Sequence, residues 1–116
     1  MLSKDLQIHK DSVLLLSLVD DLFTNMRRDH KFSLGQKMFD IAFNLPLRVN
    51  EANRTKGVGR REILTRLLLD LEQLQTLNAY CNQRNYTPLR LASRIEHGID
   101  VVAKQATGWR NSIRIL

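Results

Sequence analysis

Ile63, Leu64, Leu67, Leu68, Leu71, Leu74 and Leu77 recur at the three- and four-residue steps that put side chains on one face of an α-helix. No Gly or Pro interrupts the stretch, so the spacing predicts a long helix from about Arg60 to Asn82. Such a broad apolar stripe must be covered by other elements, and the rest of the chain supplies them in the same form. Met38, Ile41, Ala42, Leu45 and Val49 mark a second helical face. Ala92, Ile95, Ile99, Val102, Ala103, Ala106, Trp109 and Ile113 mark another. The run from Val13 to Val19 is different, because its consecutive apolar residues point almost all round a helix. A helix of that kind, from Asp5 or Asp11 to Arg28, is either central in the bundle or covered on its second face by another subunit.

The helix ends are signalled locally. Phe32-Ser33-Leu34-Gly35-Gln36 has the form of a capping box, with the Ser33 hydroxyl accepting from the Gln36 amide. Pro46 falls inside the helix that follows, which predicts a kink there and an end near Ala52 or Asn53. Thr87-Pro88 reads as an N-cap followed by a proline at the first helical position. Short connections then favour an all-α fold, an antiparallel up-down-up-down four-helix bundle, as a single domain over residues 1–116. A chain of 116 residues is long enough for one core of this kind.

Charge is unevenly spread. Lys and Arg number 18 against 12 Asp and Glu, a formal net charge of +6. Four cations and no acid lie between Ala52 and Arg61, and three more cations and no acid between Val101 and Leu116. Bundle topology gathers Arg54, Lys56, Arg60 and Arg61 with Lys4, Lys10, Arg110 and Arg114 at one end. Arg27, Arg28, Lys31 and Arg84 gather at the other. A basic excess of this size on a small domain points to a polyanionic partner.

The sharpest cationic stretch, from Arg54 to Arg61, contains Gly57 and Gly59, but it is not a nucleotide loop. A phosphate loop needs a preceding strand and a G-x-x-x-x-G-K-[ST] pattern, and a dinucleotide fingerprint needs a third glycine where Glu62 stands. The plain reading gives Gly57 to a helix C-cap and Gly59 to the turn, with Arg60 and Arg61 in the loop or first helical turn. Cations beside a helix N-terminus are opposed by its dipole unless an anion joins them, which raises the case for phosphate contact.

Other chemistries find little footing. His9, His30 and His97 form no ligand set, and the Glu-x-x-His pairs of metal-binding bundles are absent. Cys81 is the only cysteine, which excludes an intrachain disulfide and fits a reducing cytosol. No Ser-His-Asp order or carboxylate pair emerges, so no enzyme, cofactor or metal is expected. Seven aromatics and no strands argue against an aromatic platform of the RRM or OB kind. The charged beginning of the chain does not read as a signal peptide, and Val13 to Val19 is too short to span a bilayer, so a cytoplasmic, soluble protein is expected.

Phe32-Ser33-Leu34-Gly35-Gln36, Glu51-Ala52-Asn53, the arginine-led Leu-rich third helix and Gly108-Trp109 with Ser112, taken in order and spacing, resemble the accessory variability determinant family of diversity-generating retroelements. The resemblance covers about residues 11 to 114. Asn44-Leu45-Pro46-Leu47-Arg48-Val49-Asn50-Glu51 also looks like the mid-helix Ser-Ile-Pro-x-Asn-Ile-Ala-Glu pattern of related four-helix proteins encoded in intervening sequences of ribosomal RNA genes. Here Asn44 and Arg48 replace that pattern's Ser and its following Asn, while the Gly-Trp ending favours the retroelement family. The resemblance implies a ring-like homopentamer without catalytic activity, a basic surface for RNA or cDNA, and a reverse transcriptase partner. The alternative is a structural or RNA-binding oligomer of the intervening-sequence type. Charge clustering nominates Arg54, Lys56, Arg60 and Arg61 for phosphate contact, with Arg110 and Arg114 next. Replacing Arg60 and Arg61 with Glu is expected to abolish RNA binding and leave helicity and assembly intact.

Overall fold

Four long helices carry the structure, a computed structural model that describes residues 2–114, the Ser3 side chain excepted. A 3-10 turn over Ser3–Asp5 precedes α1 (Gln7–Asn25). A short α2 (Arg28–His30) runs through a π-helical segment (Lys31–Gly35) into α3 (Gln36–Arg54). Then come α4 (Gly57–Gln83) and α5 (Leu89–Asn111). The fold class expected from periodicity, all-α with four principal helices, is the one observed. The rod measures 49 × 23 × 21 Å, and the 27-residue α4, about 40 Å long at roughly 1.5 Å per residue, spans most of its long axis.

Each long helix packs on two neighbours: α1 on α3 and α5, and α4 on α3 and α5. Cross-contacts fix the register. Met38 meets Cys81 and Arg48 meets Asp70 between α3 and α4. Asn78 and Gln75 of α4 bond to Ala92 and Glu96 of α5, and Gln105 of α5 bonds to Asp11 of α1. The stripes read from the sequence supply the core: Leu15, Val19, Met38, Leu45, Val49, Leu64, Leu67, Leu74, Ile95 and Val102 are fully excluded from solvent.

Helix α1 lies beside two neighbours, not at the centre. Its Leu15 and Val19 are buried, whereas Val13 and Leu14 are 42% and 58% exposed. The apolar ring round this helix is therefore half spent on the core, and its outer half faces outward.

Three local expectations fail on cap geometry. Helical structure begins at Arg28, ahead of Ser33, because the π-helical segment carries the chain through the supposed boundary. The Ser33 hydroxyl donates to the His30 carbonyl at 3.2 Å, and Gln36 bonds to Asp40 at 2.9 Å, so no capping box forms. Pro88 has extended backbone, ψ 143°, and is itself the residue before α5. Thr87 is thus one place too early to cap, and its buried hydroxyl finds no partner. The third difference is at the start of α4, which includes both glycines of the supposed turn. Helix α3 meanwhile runs unbroken through Pro46, which is buried and leaves the Ala42 carbonyl without its usual N–H donor.

Cys81 is wholly buried, its sulfur 3.9 Å from that of Met38, and burial pushes its thiol pKa up. A raised folded-state value means the unfolded chain releases this proton first as pH rises. Stability should therefore fall above about pH 8.5, where an unfolded thiol ionises. Denaturant melts of the parent and Cys81→Ala chains between pH 7 and 9.5 check this: the parent should lose stability faster.

Candidate functional site

Only Thr55 and Lys56 separate α3 from α4, so the chain must reverse within a few residues. Gly57 makes this possible by adopting φ +63°, a conformation that costs a residue with a Cβ about 1 kcal/mol or more. Gly59 serves differently: a Cβ there would sit 2.8 Å from Thr55 Cγ2, too close for the turn to stay as it is. Gly57→Ala should accordingly lower stability by about 1 kcal/mol through strain alone. A urea melt measures the loss, and an unchanged midpoint would refute the assignment.

Arg60 closes the turn from inside. Its Nε donates to the carbonyls of Ala52 at 2.8 Å and Thr55 at 2.7 Å, and one terminal nitrogen donates to the Asn53 carbonyl at 3.3 Å. These are carbonyls at the end of α3, where a helix runs out of N–H partners. The guanidinium also lies 5.2 Å from the Trp109 ring centroid, a cation–π distance that ties the start of α4 to the end of α5. Trp109 in turn lines a hollow of about 290 Å³ with Leu6, Gln7, Ile8 and Gln105, so the beginning of α1 meets the same end.

This arrangement sorts the six nominated cations. Arg54, Lys56 and Arg61 are exposed and make no ion pair among the described residues. Arg114 is exposed beyond the end of α5. Arg110 is only partly exposed, and its Nε is shielded from solvent without a hydrogen-bond partner. Arg60 is the exception, for its guanidinium is committed to the α3 carbonyls and the indole. The expectation that Arg60→Glu leaves the fold intact is therefore corrected: a carboxylate there would face three carbonyl oxygens. Nothing in the spacing of Arg60 along the chain sets it apart from Arg61, so this role leaves no periodic signal.

Helix α4 starts without a side-chain cap, and no acid lies in its first turn. The positive dipole end of α4 thus falls within a stretch that carries Arg54, Lys56 and Arg61, with Glu51 before it and Glu62 after it as the nearest acids in sequence. Electrostatically this is an unbalanced corner, favourable for phosphate or carboxylate groups. Two of the histidines lie elsewhere: His30 stacks on Tyr86 at 3.5 Å, and His97 lines an outer groove between α1 and α5. Among the described residues no group of three or more His, Cys, Asp or Glu is placed to hold a metal ion. No helix among them is long and apolar enough to cross a membrane. No protein-family model matches the chain, and no curated protein matches it.

Proposed function

We propose that this chain is a non-enzymatic accessory protein of a diversity-generating retroelement, binding the reverse transcriptase and its template RNA or cDNA in the cytoplasm to support mutagenic cDNA synthesis. The observation that supports the nucleic-acid part is the α3–α4 corner, where three exposed cations without an ion-pair partner among the described residues lie in the same short stretch as a helix N-terminus that has no side-chain cap. Phosphate oxygens would accept from the free N–H groups and from the guanidinium and ammonium groups together, neutralising both. In this reading Arg54, Lys56 and Arg61 touch phosphate, Arg110 and Arg114 extend the surface, and Arg60 holds the corner in shape.

The rest of the reading is an up-down-up-down bundle bent at Pro46 and assembled as a ring-like homopentamer. The outward Val13 and Leu14 support it, since an apolar half-face on a 13.5 kDa protein invites cover by another copy. Equilibrium sedimentation should return five times the chain mass; a monomer would sink the ring. Co-expression with a retroelement reverse transcriptase should recover both proteins on one affinity tag. Salt-dependent RNA binding without reverse transcriptase capture would instead favour the intervening-sequence alternative.

A further inference from the structure

All four phenylalanines of the chain, Phe23, Phe32, Phe39 and Phe43, lie outside the buried core. This is unusual, since Phe ranks among the residues most often buried. Nor are they scattered. Phe32 meets Phe23 edge-on at 6.3 Å between centroids, Phe23 meets Phe39 at 5.5 Å, and Phe39 meets Phe43 at 6.2 Å. The result is a continuous ladder across the outer faces of the π-helical segment, α1 and α3. Its two ends are open, with Phe32 64% and Phe43 50% exposed.

A cation is built into the ladder. The Lys31 ammonium lies 5.3 Å from the Phe23 centroid and 5.6 Å from that of Phe32. Arg27 and Arg28 stand exposed just before it, and of the two only Arg27 has an ion-pair partner among the described residues, Asp29. Lys31 and Phe32 are the first two residues of the π-helical segment.

We propose that the phenylalanine ladder is a stacking surface for unpaired bases of a single-stranded nucleic acid, with Lys31 and Arg28 on its phosphates. The inference rests on the nucleic-acid reading above and adds a second, single-strand-selective surface to it. Exposed rings take up any base through its π-face, and cations beside them hold the backbone. A duplex hides its base faces and gains nothing from the rings. A second copy seated face to face on the ladder is the less suitable occupant, because it would bring its own Lys31, Arg27 and Arg28 against the same three cations.

The test compares a labelled oligouridylate with an RNA duplex of equal length by fluorescence anisotropy at moderate salt. The Phe32→Ala, Phe43→Ala double variant should bind the single strand about tenfold more weakly and the duplex unchanged. In Phe43→Trp, oligouridylate should quench the added indole fluorescence over the Trp109 background, a signal that a structural role would not produce. Unchanged single-strand affinity with a smaller particle in sedimentation would overturn the proposal and assign the ladder to contact between copies. Equal weakening toward both probes would overturn it as well. Duplex binding that survives in the variant and is lost on changing Arg54, Lys56 and Arg61 keeps the basic corner independent of this outcome. Failure of the unaltered chain to bind either probe would remove both.

Discussion

Replacing Arg54, Lys56 and Arg61 together with glutamine is expected to weaken RNA binding by at least tenfold at moderate salt while leaving helicity and melting temperature unchanged. Each of the three is exposed and unpaired among the described residues, so its removal takes no internal contact away. The loss should also change form with salt. Three phosphate contacts contribute about 2 to the slope of log affinity against log salt for a single strand, and that contribution should disappear. The control is an equal loss of charge elsewhere, by Arg90→Gln, Arg94→Gln and Lys104→Gln on the exposed side of α5. Mere net charge would make the two triple variants alike. A localised corner, with dipole and cations acting on the same phosphates, makes the first far worse.

Arg60→Ala is expected to act on stability first and on binding only as a consequence. A part-buried guanidinium whose Nε proton is shared by two carbonyls at short distance, with a third contact at 3.3 Å, contributes more than a surface ion pair, because the carbonyls of Ala52, Thr55 and Asn53 lose a charged donor together. The lost packing on Trp109 adds to this. A destabilisation of about 3 kcal/mol, or a fall in melting temperature on the order of 10 °C, is expected. Arg60→Lys should recover little, since an ammonium lacks the planar fork that reaches several acceptors at once. Thermal melts of Arg60→Ala beside Arg61→Ala separate the roles: the first should fall and the second should not. Equal melting temperatures would return Arg60 to the surface set.

The contrast between these two adjacent arginines shows how far a sequence can be read. Helix identity was legible because it depends on spacing: the residues of the α4 stripe named from periodicity include Ile63, Leu64, Leu67, Leu71 and Leu74, all buried. Helix ends were less legible. Ser33 sits in a capping pattern, yet the chain is already helical there, and a π-helical segment has no composition that announces it. Thr87 and Gly57 missed their expected positions by one or two residues, a shift that changes which groups are capped and which stay free.

The candidate corner was legible as charge and illegible as geometry. Four cations without an acid can be counted along the chain, but whether a given arginine turns outward to solvent or inward to a carbonyl depends on where α3 stops. That in turn depends on the reversal at Gly57. The phenylalanines carried even less signal, for Phe23 and Phe43 are twenty residues apart and lie on different helices. In the sequence they read as four separate apolar positions.

What the sequence by itself determined is the set of helices, the apolar face of each and the excess of positive charge, because periodicity and charge are properties of neighbouring residues. Tertiary structure alone decided that Arg60 supports the turn while Arg54, Lys56 and Arg61 face solvent, and that four phenylalanines form one surface beside Lys31. Those outcomes depend on packing between elements far apart in the chain, where a carbonyl, a ring or a cation finds its partner only after the helices have docked.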